Sequence, residues 1–308
     1  MIIWCFGLLE IKGVSKWFGK FQALNNISFN VNNGELVGYV GLNGAGKTTT
    51  IRIIVGVLPP DKGDVLIDGY SITYNKRQAS KLIGWVPELP IFEPDVKALD
   101  YFVYLAGYYG LSSREAYSLG KKLFEEVGLS GAEYKKLQEY SQGMKKRFAL
   151  AVSMINDPPN FVFDEVLNGL DPEGIKFFRE LAKKFKKEGK SVLFSSHILS
   201  EVEAIADRVV FIHKGRIINS LSMQEIKRMA SKKLVLSLGQ TPSHNIVDKL
   251  REYGRVSIEG NIITIEDFNG EQSSIIELLV NNGYKVNEIK LVEKSLEDVF
   301  FKLIGEQK

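Results

Sequence analysis

Residues 41–48 read Gly-Leu-Asn-Gly-Ala-Gly-Lys-Thr and satisfy the spacing Gly-x-x-x-x-Gly-Lys-[Ser/Thr]. A loop of that pattern wraps its backbone N–H groups around the phosphates of a nucleotide. Gly41, Gly44 and Gly46 permit backbone angles and close phosphate approach that a Cβ would block. Lys47 brings a point charge to the β- and γ-phosphates, and Thr48 offers a hydroxyl to Mg²⁺. Leu42, Asn43, Ala45 and Thr49 fill out the loop and the first helical turn behind it. The plain alternative is a glycine-rich turn with a surface lysine. The flanks argue against it, because Leu36–Val40 is an apolar run of strand type and Thr48–Ile54 can open a helix whose N-terminal N–H groups point at an anion.

A second acidic element follows at Asn160-Phe161-Val162-Phe163-Asp164-Glu165. A buried strand ending in a carboxylate can hold Mg²⁺ opposite the Thr48 hydroxyl, which makes Asp164 the metal-side acid. Glu165, one residue further on at the mouth of the strand, is placed to polarise an attacking water. Alone, two adjacent acids at a strand end could be solvated turn residues; paired with residues 41–48 they face a metal and a phosphate. His197 alone would be an ordinary solvated histidine. It follows the strand Ser191-Val192-Leu193-Phe194, the next after the one that leads to Glu165, and that position makes it a contact for the γ-phosphate. Ser141 alone is an N-cap for a helix over 144–154.

These residues need a scaffold, and the pattern supplies one. Residues 8–33 alternate as antiparallel strands, while 36–56, 160–186, 191–207 and 208–219 alternate strand and helix as in a parallel α/β sheet. Residues 89–155 are largely helical by period, with helices over 98–109 and 113–127. Trp85, Phe92, Tyr101, Phe102, Tyr104, Tyr108 and Tyr109 enrich this stretch in aromatics, most of them expected in the core and a minority exposed beside Glu88. After Met223 the order reads β-α-β-β-α-β-α, a small α+β module of ferredoxin-like type without a metal cluster, phosphate loop or nucleophile. The expected division is therefore an N-terminal extension (1–7), a nucleotide-binding unit (8–223) and an accessory domain (224–308).

Composition narrows the class. The 308 residues are 44% hydrophobic and 25% charged, as in an ordinary globular protein. Forty basic and 37 acidic residues leave a net charge of +3, too balanced to argue for nucleic acid. A single cysteine, Cys5, excludes an internal disulfide. The longest apolar run, Met1–Leu9, is too short to span a bilayer and lacks the basic start and cleavage site of a signal peptide.

With these motifs in this order, residues 8 to about 223 resemble the nucleotide-binding subunit of an ATP-binding cassette (ABC) transporter. Tyr140-Ser141-Gln142-Gly143-Met144-Lys145-Lys146-Arg147 is similar to the family signature, in its Ser-x-Gly-Met-Lys variant. Asn168-Gly169-Leu170-Asp171-Pro172 matches the D-loop, and Ser195-Ser196-His197 the switch histidine. Phe18 falls where the family places an aromatic under the adenine. Glu88 stands where the family has the Q-loop glutamine, and a carboxylate there can still ligate Mg²⁺. Gln142 replaces the usual second glycine of the signature, and Val166-Leu167 the usual Pro-Thr. The segment Ser295–Phe300 resembles the tail of ABC-2-type exporter ATPases.

The resemblance implies an ATPase using ATP and Mg²⁺, with Lys47, Glu88, Glu165 and His197 catalytic and Thr48, Glu88 and Asp164 on the metal. It implies two cassettes paired head to tail, each 41–48 loop facing Ser141, Gln142, Gly143 and Asp171 of the other chain. It further implies a separate membrane permease as partner, a place on the cytoplasmic face of the cell membrane, export, and a transported substrate that this chain does not bind. The competing class is a soluble ABC ATPase acting on ribosomes or DNA. One loop and one signature, with too few residues between 56 and 140 for a long coiled coil, count against it. The accessory domain reads equally as a docking or regulatory module or as a spacer that steadies the dimer.

Overall fold

Leu36–Val40 is buried along its whole length, as a parallel strand covered on both faces must be. Around it the computed structural model, which describes residues 8–229, 232–293 and 295–305, builds the layers that carry the site. The extension expected over 1–7 lies outside the described residues. The chain divides into two units between Ser222 and Met223.

The first unit opens with two long strands, β1 (Leu9–Phe18) and β2 (Phe21–Val31), and continues into β3 (Leu36–Val40) and α1 (Lys47–Ile54). Next come β4 (Lys62–Ile67), β5 (Tyr70–Ser71), α2 (Lys76–Lys81) and β6 (Ile83–Val86). A helical section holds α3 (Ala98–Gly107), α4 (Ser113–Glu126) and α5 (Gln142–Ser153). The α/β core resumes with β7 (Asn160–Phe163), α6 (Pro172–Lys187), β8 (Ser191–Ser196), α7 (Leu199–Ile205), β9 (Arg208–His213) and β10 (Arg216–Ser222). One sheet has the order β2-β1-β4-β5 and its pairs are antiparallel. The other runs β10-β9-β3-β8-β7-β6, parallel throughout except for the β9–β10 hairpin. The carboxyl ends of β3, β6, β7 and β8 therefore emerge on one edge, where open α/β sheets place their ligands.

The sequence pattern above contains no strand at 62–71, yet β4 pairs with β1 and β5 with β4. Lys62-Gly63-Asp64 opens β4 with polar residues, so only its distant partner stabilises it as a strand. Helix α6 shows strong local signals. Asp171 caps it, Pro172 opens it, and Lys184, Lys186 and Lys187 lie in its last turn. Its apolar stripe includes Phe178 and Phe185, and Phe185 stacks on Phe161 of β7 with ring centroids 4.1 Å apart. Truncating a buried phenylalanine of this kind costs about 3–5 kcal/mol.

The helical section packs on its own aromatic cluster. Phe148 of α5 meets Phe92 at 4.8 Å and Phe124 of α4 at 5.7 Å, both edge to face. Gly120 lets α3 and α4 approach, because a Cβ there would sit 2.6 Å from Leu99 Cδ1. Of the seven aromatics expected to lie mostly in the core, only Phe102 is fully buried. Tyr104, Tyr108 and Tyr109 are exposed, and Trp85, Phe92 and Tyr101 are half-buried. Tyr101 and Tyr104 of α3 and Tyr108 just past its end lie three and four residues apart along one outward face. They pack on one another, with Tyr101–Tyr104 at 6.1 Å and Tyr104–Tyr108 at 5.3 Å, and so leave the core to Phe102.

The second unit comprises α8 (Met223–Met229), β11 (Lys232–Leu238), α9 (His244–Leu250), β12 (Arg255–Glu259), β13 (Ile262–Glu266), α10 (Gln272–Asn281), β14 (Val286–Glu293) and α11 (Leu296–Gly305). Its sheet order is β12-β13-β11-β14 with antiparallel pairs, which is ferredoxin-like topology after α8. Leu234, Leu236, Ile263, Ile265, Ile275 and Leu279 form its core. Ser295 and Asp298 bond reciprocally at the start of α11, whose Leu296, Val299, Phe300 and Leu303 are buried.

Candidate active site

The loop after β3 closes on itself before it can meet a ligand. Lys47 Nζ donates back to the Gly41 carbonyl at 2.8 Å, and its side chain is almost wholly buried. The three glycines are needed for different reasons. Gly44 has φ +75° with open space around its α-carbon, which suits an anion's approach. Gly46 caps α1 at φ +111°, where a Cβ would also strike Leu24 Cδ2 at 2.7 Å. Gly41 is required by packing, since its Cβ would lie 2.4 Å from the Ile212 carbonyl oxygen of β9.

From β7 come Asp164 and Glu165, both buried. The Asp164 carboxylate accepts from the Ser195 hydroxyl at 2.8 Å and, more distantly, from Thr48 Oγ1 at 3.4 Å. Burial raises its pKa above the usual carboxylate range; those hydroxyls oppose the shift, while the negative charges of Glu165 and Glu88 add to it. Glu165 sits at φ +46°, a left-handed conformation uncommon for a non-glycine residue. Its two oxygens have separate partners: Oε1 lies 3.2 Å from Lys47 Nζ and Oε2 lies 2.9 Å from His197 Nδ1. His197, at the end of β8, is about half exposed and so joins a buried carboxylate to the solvent-facing mouth.

These groups border a cleft of about 530 Å³. Its walls hold eleven of the residues selected from sequence: Phe18, Leu42, Asn43, Gly44, Gly46, Lys47, Thr48, Thr49, Glu88, Glu165 and His197. Gly41, Ala45 and Asp164 lie just behind the wall, Ala45 within the hydrophobic core. Ser141, Gln142, Gly143 and Asp171 do not border it. Ser141 caps α5 by accepting from the Met144 N–H at 3.2 Å, and Asp171 caps α6 by accepting from Gly174 at 2.8 Å.

Three participants escaped sequence reasoning. Phe21 faces the cleft beside Phe18 because the two are register partners across the β1–β2 turn, and the short turn Gly19-Lys20 was a signal that could have found it. Ser195 bridges the two acids, accepting from the Glu165 N–H at 2.8 Å while donating to Asp164. Lys146 is buried on α5, and its Nζ donates to the carbonyls of Glu165, Val166 and Asn168. Burial lowers its pKa, and the nearby charges of Glu88 and Glu165 oppose that shift. No sequence spacing links it to them.

The arrangement as a whole is an anion cradle with a buried carboxylate pair and a histidine–glutamate contact at its mouth. The ABC transporter family model matches residues 24–168. An uncharacterized ABC transporter ATP-binding protein of Bacillus subtilis (strain 168) is 36% identical over 308 residues, covering 98% of this chain and 97% of that one. A bacitracin transport ATP-binding protein of Bacillus licheniformis is 33% identical over 301 residues, covering 97% of each. The solved structure of an ATP-binding subunit of an ABC transporter superposes with TM-score 0.67 at 31% identity, covering 72% of this chain and 92% of that one. The cradle, the acid pair and these likenesses agree: the chain belongs to the ABC transporter ATP-binding proteins, the ATPases that couple ATP hydrolysis to transport.

Proposed function

We propose that this chain energises an exporter from the cytoplasmic face of the cell membrane, hydrolysing ATP in a pair of cassettes attached to a separate permease. The 41–48 loop and Lys47 hold the phosphates, and Phe18 lies against the adenine. Glu165 accepts a proton from the attacking water while Lys47 and His197 balance the charge gathering on the γ-phosphate. A hard cation suits the donors present, since the buried Asp164 carboxylate and Thr48 hydroxyl face each other and Glu88 adds negative charge. Mg²⁺ held there by Thr48, Asp164 and Glu88 would neutralise phosphate charge. Closing and reopening of the pair supplies the motion.

The observation that carries this reading is that Ser141 and Gln142 are exposed at the start of α5 yet take no part in their own chain's cleft. A capped helix N-terminus is an anion site, and here it is free to serve a second chain's nucleotide together with Gly143 and Asp171. The likeness to the bacitracin transport subunit over 97% of both chains supports transport over the ribosome- or DNA-acting alternative. No described helix is long and apolar enough to cross a membrane. The exposed Tyr104, Tyr108 and Tyr109, with Leu89 and Ile91, offer that partner an aromatic-rich surface beside Glu88. The second unit serves as a docking or regulatory module.

Mixing Ser141→Arg with Lys47→Ala chains tests the shared site. Ser141→Arg alone should bind ATP normally yet fail to dimerise or hydrolyse, and Lys47→Ala should lose binding. A heterodimer of the two keeps one intact composite site, so the mixture should regain ATPase activity absent from either variant. A mixture that stays inactive, with no ATP-dependent crosslink between positions 141 and 44 of different chains, would remove the shared site.

A further inference from the structure

We infer that Lys146 is a positioning residue for the Glu165 carboxylate and fastens it to the signature helix. The inference rests on Glu165 being the base that activates water.

Glu165 occupies a left-handed conformation at φ +46°, which a glutamate does not hold unaided. Its residue is pinned on both sides. The N–H donates to Ser195 Oγ at 2.8 Å, and the carbonyl accepts from Lys146 Nζ at 3.1 Å. The same ammonium reaches the carbonyls of Val166, at 3.0 Å, and Asn168. Three donors meet three carbonyls, the full complement of an ammonium group.

Lys146 is only 4% exposed, and an ammonium buried that deeply is tolerated only when fully hydrogen-bonded. The partners it has are the main chain of the turn that aims the carboxylate. With that turn held, Oε1 stands 3.2 Å from Lys47 and Oε2 2.9 Å from His197. Without it, Glu165 can relax towards ordinary backbone angles, and its side chain leaves both partners. Lys146 also lies five residues beyond Ser141 on the same short helix. The helix that addresses one chain's nucleotide is thereby tied to the carboxylate serving the other nucleotide.

The test is a set of full-length variants compared for affinity for a fluorescent ATP analogue, ATP-driven dimerisation, kcat and melting temperature. Lys146→Met should lower kcat by about 10²-fold, as a small misplacement of a reacting group does, with analogue affinity and dimerisation near wild type. Lys146→Arg, which keeps charge and several donors, should recover most of the rate, and Lys146→Gln should fall between. In the Glu165→Gln background, Lys146→Met should remove nothing further from the residual turnover, because the group it positions is already gone. Multiplicative losses in that background, or parallel falls in affinity, dimerisation and rate, would overturn the inference and leave a structural tether. If Lys146→Met does not fold, the order of Arg above Gln in kcat at equal affinity decides, and equal rates refute the inference. Full activity in Glu165→Gln alone would instead overturn the underlying reading of Glu165.

Discussion

The two units use the same materials, apolar strands backed by amphipathic helices, but they bury different things. In residues 8–222, Lys16, Lys47, Lys146, Asp164 and Glu165 are all buried, alongside hydroxyls such as Ser195 and Ser196. Among the described residues from 223 onward, no polar or charged side chain is buried to that degree apart from a phenol, Tyr284. Backbone strain divides in the same way. Among the described residues, the second unit's non-glycine residue at positive φ is Asp267, a type that tolerates such turns, whereas the first unit also holds Glu165 and Lys214 there. A buried charge costs stability unless it is paired: Lys16 is held by Asp61 and the Pro59 carbonyl, whereas Lys47, Lys146, Asp164 and Glu165 gather at or just behind the cleft. The contrast separates the part that does chemistry from the part whose core is ordinary packing.

The largest expected effect tests the chemical side. Glu165→Gln should keep ATP binding and lose roughly 10²–10⁴-fold in kcat, as removal of a general base does. The variant should accumulate as an ATP-bound dimer in size-exclusion chromatography. A fully active variant would mean that another group activates the water and that the strain at residue 165 has some other origin.

The ordinary side is tested by truncating its core. Leu236→Ala, at a fully buried position of β11, should destabilise the second unit by about 2–5 kcal/mol in chemical denaturation. ATP turnover of the folded variant should stay within about twofold of wild type, because the substitution removes no transition-state contact. A large loss of kcat at unchanged nucleotide affinity would break the comparison and make the second unit part of the catalytic cycle.

The smallest effect sharpens the idea that buried charge is kept for function. Burial raises the Asp164 pKa above its unfolded value, so the folded state binds the proton more tightly. Stability is then lost as pH rises from the ordinary carboxylate range through the raised folded value, and the loss persists above it. Asp164→Asn should remove that loss and melt higher than wild type near neutral pH without divalent cations, while losing metal-dependent ATPase activity. Calorimetry at acid and neutral pH checks the sign, and a lower melting temperature at neutral pH would show that the carboxylate stabilises the fold by itself.

The legible parts of this chain are those whose signals are local. Residues 41–48 carry their spacing within eight positions, α6 carries its cap, proline and basic end within seventeen, and the strand–helix order of the second unit from β11 onward follows from period alone. Most of the failures are non-local. Strand β4 depends on register with β1, some fifty residues earlier, and no period marks it. Tyr104 and Tyr108 look like core by residue type, and only the packing of α3 turned them outward. Phe21 is the local exception, since it faces Phe18 across the two-residue turn Gly19-Lys20.

The sequence by itself determined the chemistry available: an anion loop, an acid pair after an apolar strand, a histidine after the next, and a capped signature helix. Each is a short run in which spacing translates directly into backbone geometry. The tertiary structure decided how those groups meet. Glu165 is shared between Lys47 and His197, Asp164 and Glu165 are joined through Ser195, and Lys146 grips the turn between them. Those contacts cross different strands and helices, at separations from 19 to 118 residues, where no periodicity reaches. They exist because parallel strands deliver their carboxyl ends to one edge of one sheet.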